Sequence, residues 1–365
     1  NQLMDSMDLS EPKDVEYIVA LPKMKDYIKI SSEIYAIYLK YISPEDILVY
    51  SIDECFFDIT GYLNLYNIDA KTLAKRMIDD VYHTTGICAT VGIGTNLFLT
   101  KVALDVTAKK AIDFMGYLDE EEFKKTVWYH QPITDIWNIG RGTANRLAKK
   151  FNAYNLHDIT LIPEEKLYKE FGVNAEFLID HAHGIEPCTI KEIHEYHSKG
   201  NSMSNTQVLF EDYAYKDALL VMKEMVEVNV LNLVDQDLVT NHIGVYIGYS
   251  KDIIPPSCSN LKLDEYTNSY KKLSEYIMTL FEKICNQNYP IRRLGLSFGN
   301  VVNSEFKTYN LFTNEKEEED ELKMQKAILS IKHRYGKNSI VKGMDLQPKA
   351  TTITRNTLIG GHNGE

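Results

Sequence analysis

Two adjacent acidic residues are the first candidates for chemistry in this sequence. Asp53 and Glu54 lie in the stretch Ser51–Thr60, where two short apolar runs predict strands joined by a turn. Neighbouring side chains in mid-strand point to opposite faces, but at the tip of a hairpin both carboxylates can reach the same side. Hard divalent cations prefer oxygen ligands of this kind. The pair is therefore a candidate metal site, and an exposed acidic turn is the alternative.

A strand that ends in glycines and opens a helix is the second candidate. Cys88–Gly94 predicts the strand and Asn96–Ala108 the helix, so backbone N–H groups would face a ligand at the junction. Lys101, Lys109 and Lys110 supply positive charge near it. The glycine spacing matches neither a dinucleotide fingerprint nor a P-loop.

The third candidate is a Gly-Arg-Gly turn between two stretches with helical character. This pattern predicts a helix-hairpin-helix, in which backbone amides of the turn approach a DNA phosphate. A plain helix–loop–helix with a glycine cap is the alternative. The residues that would bind DNA here are Gly140, Arg141, Gly142, Thr143 and Arg146.

The elements that must position these motifs predict an α+β, multidomain fold. Hydrophobic periodicity indicates an α/β layer in 25–118 and a helical segment in 119–190. A small, polar linker follows in 191–202, and a second α/β module occupies 203–303. The tail, 304–365, is predicted to hold an amphipathic helix and a flexible, glycine-rich end. Its apolar side would comprise Leu322, Ala327, Ile328 and Ile331.

The net charge opposes a role in binding nucleic acid. The 365 residues carry a charge of −12, whereas phosphate neutralisation by a basic surface supplies much of the affinity for DNA. Part of the excess acid is confined to 315–321, and binding depends on where Lys and Arg lie. The charge alone does not decide the matter.

Cysteine and histidine usage argues against a zinc site. The five cysteines are scattered singly, which is typical of reduced thiols in a cytoplasmic protein. His194 and His197 are three positions apart, not the four of a zincin helix, so a solvated linker is favoured there. No apolar run is long enough for a membrane span.

Taken in order, the three motifs resemble those of the Y-family (UmuC/DinB-like) translesion DNA polymerases. The resemblance rests on Ser-Ile-Asp-Glu followed by Phe and Asp, on Gly-Ile-Gly-x-Asn with Lys-x-Ala-x-Asp, and on the helix-hairpin-helix. It extends from about Val19 to the tail. The segment Tyr335–Ile340 is most similar to UmuC-type DNA repair proteins of low-GC Gram-positive bacteria.

This resemblance implies the identity of each domain. Residues 1–24 would be a remnant of the fingers region, and 25–118 a partial palm with a mixed sheet and helices. The thumb with its helix-hairpin-helix would be 119–190, and the little finger 203–303.

The resemblance also implies a mechanism, namely error-prone translesion synthesis by two-metal nucleotidyl transfer. The cofactor would be two Mg²⁺ ions, for which Mn²⁺ can substitute, and the substrates primer–template DNA and a dNTP. Asp53 and Glu54 would hold the ions, with Asp53 bridging both. Lys109 or Lys110 would lie near the triphosphate, and Ser51 and Lys101 would support the site.

Further contacts are implied outside the palm and the thumb. DNA-binding residues of the little finger would be Ser202, Ser204, Arg292 and Arg293. A sliding-clamp peptide would follow at Thr308, Tyr309, Asn310, Leu311 and Phe312, although its usual glutamine and first leucine are absent. An ordinary linker is the alternative for that segment. The expected oligomeric state is a monomer.

One departure from the family concerns the first catalytic strand. Family members begin with a strand that carries an aspartate, followed by a fingers domain. Few residues precede Tyr50, and Asp5 and Asp8 lie in polar sequence. The sequence therefore predicts that this strand and most of the fingers are lacking, and that the chain as given is inactive.

Two other functions fit parts of the sequence. A non-catalytic damaged-DNA-binding repair accessory protein would keep the DNA contacts without the chemistry. Nucleotide and diguanylate cyclases also place paired acids on palm-like sheets, but they need neither a helix-hairpin-helix nor a second α/β module.

Overall fold

The computed structural model describes Ile18 and residues 20–198, 200–309 and 314–364. These residues form two compact units, one of residues 25–197 and one that contains the described residues from Ser198 onward. None of the described helices is long and apolar enough to cross a membrane.

The first unit is mainly helical. Its helices are α1 (Met24–Tyr38), α2 (Thr60–Tyr66), α3 (Ala70–Thr85), α4 (Leu97–Val102), α5 (Glu120–Thr126), α6 (Arg141–Phe151), α7 (Leu156–Thr160), α8 (Glu164–Phe171), α9 (Ala175–His183) and α10 (Ile190–Glu195). Several begin at side-chain caps that satisfy free backbone N–H groups, such as Asp69 before α3 and Asn96 before α4.

Four short strands of this unit form two separate sheets. Strand β1 (Ile47–Val49) pairs antiparallel with β2 (Cys55–Phe57), and β3 (Val91–Gly94) pairs parallel with β4 (Met115–Leu118). In the described part of the chain no hydrogen-bonded strand joins the two pairs, so the predicted single mixed sheet is not formed by these residues. Each strand has only three or four residues and pairs with one neighbour.

One hydrophobic core extends across the segments predicted as palm and thumb. It begins at Phe98 and Leu99 and continues through Leu147 to Ala182. A smaller cluster around Ile42 and Leu73 packs beneath the β1–β2 hairpin. Because the larger core is continuous, the residues on either side of position 118 fold as one body.

The second unit is a five-stranded sheet with helices on one face. Its elements are β5 (Met203–Tyr213), α11 (Tyr215–Asp235), β6 (Leu238–Tyr249), β7 (Ser257–Thr267), α12 (Tyr270–Ile284), β8 (Ile291–Gly299) and β9 (Val302–Asn303). The strand order is β5-β8-β6-β7, all antiparallel, and β9 pairs with β6. Strand β7 lies at an edge and was not predicted, because its sequence is mostly polar.

The tail contains the predicted helix, α13 (Glu315–Tyr335), but buries a different side. Ala327 and Ile331 are exposed, whereas Glu318 and Gln325 are buried. Glu318 can be buried because its carboxylate pairs with Lys272 at 2.7 Å and with Lys307 at 2.8 Å. The prediction of that apolar side was therefore wrong at Ala327 and Ile331, whereas Leu322 and Ile328 are partly buried.

The end of the tail is folded rather than flexible. It contains α14 (Thr352–Arg355) and the hairpin β10 (Leu358–Ile359) and β11 (His362–Asn363). Buried Glu224 of α11 accepts hydrogen bonds from the backbone N–H groups of Thr351 (2.8 Å) and Thr352 (3.0 Å), and from the Thr351 hydroxyl (3.0 Å). These bonds fix the tail on α11.

The role of Glu224 is testable by substitution. Glu224→Ala should lower the free energy of unfolding by about 2–4 kcal/mol, because three donors lose a charged acceptor in a buried place. Urea unfolding followed by circular dichroism measures the change. Lys223→Ala, at the exposed neighbouring position, is the matched control and should change little. Equal effects of the two substitutions would contradict this account of the tail.

Candidate active site

The paired acids lie at the tip of the β1–β2 hairpin, as the sequence predicts. The backbone N–H groups of Tyr50 and Ser51 both donate to the carbonyl oxygen of Glu54, at 3.0 and 3.1 Å, and close a tight turn. The Ser51 hydroxyl donates to a carboxylate oxygen of Asp53 at 2.6 Å. Asp53 is exposed and Glu54 partly exposed. Ser51 therefore orients an acid that solvent can reach.

A buried lysine holds the second acid. The ammonium of Lys101 donates to both carboxylate oxygens of Glu54 at 2.8 Å and lies 3.1 Å from a carboxylate oxygen of Asp105. Its side chain is only 8% exposed. Burial lowers the pKa of Lys101, but the hydrogen bonds with Glu54 and Asp105 raise it by more, so the net pKa lies above its ordinary value. Lys101 is therefore charged in this site.

Two glycines of β3 allow Lys101 to reach this position. A Cβ atom at Gly92 would lie 2.2 Å from the Thr100 carbonyl oxygen, and one at Gly94 would lie 2.4 Å from the Thr100 backbone nitrogen. The helix that carries Lys101 therefore packs directly on the strand. The sequence predicted that these glycines present amides to a ligand, whereas their contacts show a packing requirement.

The helix after β3 contains an irregular turn near the site. After α4 the chain forms a π turn (Ala103–Thr107) and a 3-10 turn (Ala108–Lys110). A π turn accommodates one extra residue in a helix, and this one lies just before the two alternatives that the sequence leaves for the triphosphate contact, Lys109 and Lys110. Lys109 pairs with Asp105 at 3.3 Å and so joins the charged cluster, whereas Lys110 is exposed without such a pair.

The carboxylate oxygens of Asp53 and Glu54 suit a hard divalent cation, but Lys101 already occupies part of Glu54. Asp53 offers a carboxylate that, among the described residues, accepts a side-chain hydrogen bond from Ser51 alone. Both oxygens of Glu54 already accept from Lys101, so a cation at Glu54 must share this carboxylate with the ammonium or compete with it. Within the described ranges, no group of three or more His, Cys, Asp or Glu side chains is arranged to hold a metal ion.

The predicted DNA-binding turn precedes α6. Gly140 is the N-cap of that helix, and the element before it is a single 3-10 turn (Ile133–Asp135), not the α-helix that the motif predicts. A Cβ at Gly140 or Gly142 would meet nothing within 4 Å, so the outer side of this turn is open. Arg141 is exposed, and Thr143 is partly buried.

Arg146 differs from the other predicted contacts of the turn. Its guanidinium donates to the Glu170 carbonyl oxygen at 3.3 Å and lies 4.5 Å from the ring centroid of Phe171. It is therefore held against α8 rather than directed only toward solvent.

In the second unit, some of the predicted DNA-binding residues are exposed and one forms an ion pair. Ser204 and Arg293 are exposed on the sheet face opposite the helices, where Ser204 is paired with Ser297 and Arg293 with Val208. Arg292 lies 3.8 Å from Asp212 and forms an ion pair. Ser202 is exposed just before β5.

The structure describes only the start of the predicted clamp peptide. The Thr308 backbone N–H donates to the Tyr266 carbonyl oxygen at 3.2 Å, and its hydroxyl accepts from the Tyr266 N–H at 2.7 Å. Tyr309 is exposed. Asn310, Leu311 and Phe312 lie outside the described residues. His194 and His197 are both exposed at the end of α10 and after it.

Comparison with known proteins relates both units to one family. Residues 3–105 match the model of the impB/mucB/samB family, and residues 201–311 match the model of its C-terminal domain. The chain is 31% identical over 182 residues to the DNA repair protein homolog YobH of Bacillus subtilis, an alignment that covers 49% of this chain and 82% of that protein. The chain belongs to the impB/mucB/samB family.

This family is the Y family of UmuC/DinB-like DNA polymerases, which are DNA-directed DNA polymerases. DNA polymerase IV 2 of Bacillus subtilis is 27% identical over 359 residues, covering 97% of this chain and 84% of that protein. A solved Y-family DNA polymerase chimera, Dbh-Dpo4(243-245)-Dbh, has a similar fold, with a TM-score of 0.56 at 20% identity over 77% of this chain and 78% of that chain. The predicted family and fold class are confirmed.

Sequence reasoning missed two residues of this candidate site, Tyr50 and Trp137. The Tyr50 hydroxyl accepts a hydrogen bond from Trp137 Nε1 at 3.0 Å, and the Lys101 ammonium lies 5.8 Å from the centroid of the Tyr50 ring. Tyr50 thereby connects the acidic turn at Asp53 and Glu54 to the segment before the turn at Gly140. Its position next to Ser51 was the only signal in the sequence.

The pairing of Lys101 is testable through stability. Lys101→Met should lower the free energy of unfolding by about 2 kcal/mol, because Glu54 and Asp105 lose their buried cation. The effect stays below that of a fully buried pair because the Glu54 side chain is 30% exposed. Urea unfolding followed by the fluorescence of Trp128 and Trp137 reports on this unit.

Lys125→Met is the matched control, since Lys125 forms an exposed pair with Glu121. It should change stability by about 0.5 kcal/mol or less. Similar changes in the free energy of unfolding for the two variants would show that the buried pairs of Lys101 stabilise the protein no more than an exposed pair does.

Proposed function

We propose that this chain carries part of the active site of an enzyme that extends primers on damaged template DNA, with deoxynucleoside triphosphates as substrates and divalent cations held at Asp53 and Glu54. The observation that supports the proposal most is the hairpin tip. There an exposed aspartate oriented by Ser51 stands beside a glutamate held by Lys101.

Each charged residue of the tip has a proposed role. Asp53 and Glu54 would hold two Mg²⁺ ions, with Asp53 contacting both, since carboxylate oxygens suit this hard cation. When bound, such ions activate a primer 3′-hydroxyl and stabilise the leaving pyrophosphate. Lys101 keeps Glu54 in place and neutralises part of the acidic cluster. Lys109, exposed beyond Asp105, would contact the triphosphate, and Lys110 is the alternative.

Two surfaces would bind the DNA backbone. The open turn at Gly140 and Gly142 exposes backbone amides beside Arg141, which suits a phosphate. The sheet face opposite the helices exposes Ser204 and Arg293, which could contact phosphates. The segment that starts at Thr308 would bind a sliding clamp.

A DNA-binding repair protein without polymerase chemistry is the second candidate. The pair between Lys101 and both oxygens of Glu54 favours it, because a cation must share Glu54 with that ammonium or compete with it. We accordingly propose that residues 1–365 alone incorporate no nucleotide.

Primer extension opposite an abasic site tests the proposal. The chain is assayed alone and preceded by the N-terminal region of a relative, such as DNA polymerase IV 2 of Bacillus subtilis. We expect extension only by the second form. In that form, Asp53→Ala and Glu54→Ala should each lower the rate by about 100-fold or more with DNA binding retained, since metal charge stabilisation is worth several kcal/mol.

Glu45→Ala is the matched control, because Glu45 is an exposed acid just before β1 and should be replaceable without loss. Extension at the normal rate by either hairpin variant would show that the metal assignment is wrong. DNA binding without extension by both forms would favour the accessory protein.

A further inference from the structure

A cavity of about 370 Å³ lies in the first unit beneath the turn at Gly140. Its volume falls within the roughly 300–1,000 Å³ of small-molecule sites, which combine an apolar lining with a few polar groups. The side chains that decide its chemistry are Trp137, Asn138, Thr143, Asn174, Phe177 and His181.

Aromatic rings form the apolar part of this cavity. His181 stacks on Phe98 with ring centroids 4.0 Å apart and lies nearly parallel to Trp137 at 6.0 Å. Burial lowers the pKa of His181, an effect that its partner Glu186 offsets only in part, so the ring is neutral and its Nε2–H donates to Glu186 at 2.9 Å. Phe177 adds a further ring and is 54% exposed, which gives the cavity an open apolar side.

Unused hydrogen-bonding groups line the same cavity. The side-chain amides of Asn138 and Asn174 and the hydroxyl of Thr143 make no hydrogen bond with any described part of the chain. Each amide offers two donors and one acceptor. Flat rings next to unpaired amides suit a planar heterocycle with hydrogen-bonding edges.

The charged residues around the cavity indicate what chemical group such a heterocycle would be attached to. Helix α6, which borders the cavity, carries exposed Arg141, Lys149 and Lys150 on a chain whose net charge is −12. The guanidinium of Arg146 lies at the cavity against Phe171. Arg141 at the open turn and Arg146 at the cavity favour a phosphate-linked ligand over a neutral metabolite.

We propose that this cavity holds one nucleobase of single-stranded DNA, stacked on its aromatic rings, while the adjoining phosphate lies on the turn at Gly140. The inference rests on the proposed function, because it needs the turn to bind DNA. It adds a contact to a base where the turn alone would contact only the backbone. Stacking tolerates any base, so the site recognises an unpaired nucleotide rather than a sequence.

Phe177→Ala and Asn174→Ala are the informative variants, because both side chains are exposed and their loss leaves the core intact. Trp137 is left unchanged, since it also donates to Tyr50. Val173→Ala is the matched control. Val173 is 82% exposed on the same surface but does not line the cavity.

The experiment compares two labelled strands of equal length and charge, an oligothymidylate and the same strand built from abasic nucleotides. Fluorescence anisotropy gives the affinity of each. The unaltered chain should bind the base-bearing strand about fivefold or more tightly, as base–aromatic stacking predicts. Phe177→Ala and Asn174→Ala should reduce this preference without changing the affinity for the abasic strand, and Val173→Ala should keep it.

Arg141→Gln separates this proposal from the proposed function. It should weaken the binding of both strands and lower the salt slope by about one, with the base preference retained. If the preference is absent, or survives in Phe177→Ala, the nucleobase site is refuted while the Arg141 result still supports DNA binding. If neither strand binds, both proposals fail.

Discussion

The buried ammonium of Lys101 is the interaction on which the candidate site depends. A charge that is almost completely removed from water must be paired, and Glu54 and Asp105 pair it at 2.8 and 3.1 Å. This requirement fixes the acidic turn to the helix after β3. The direct contact of that helix with Gly92 and Gly94 brings Lys101 within reach. Any substitution that moves the helix outward would separate the lysine from both acids.

The same interaction explains how an acidic site persists without cations. Three carboxylates close together would repel one another, and Lys101 and Lys109 reduce that repulsion. A cation that binds there would meet a cluster whose charge is already partly compensated. In the second unit, Glu318 shows the same principle, because Lys272 and Lys307 allow it to be buried.

Much of the fold could be predicted from the sequence, because it follows from local patterns. The β1–β2 hairpin, the strand ending at Gly94 and the two long helices of the second unit all show clear hydrophobic periodicity. Strand β7 escaped prediction because an edge strand needs few apolar residues. The fold of the end of the tail was not predicted, because its attachment to Glu224 is a long-range polar contact that periodicity cannot show.

For the candidate site, the sequence indicated candidate residues but not which of them are in contact. Asp53, Glu54 and Lys101 were identified, yet the pairing of Lys101 with both Glu54 oxygens depends on packing between distant elements. Diffraction from crystals grown in saturating Mn²⁺, with anomalous scattering used to locate the metal, tests the account most directly. The account predicts manganese bound to carboxylate oxygens of Asp53 and Glu54. Manganese bound only elsewhere, beside an intact Lys101–Glu54 pair, would contradict it.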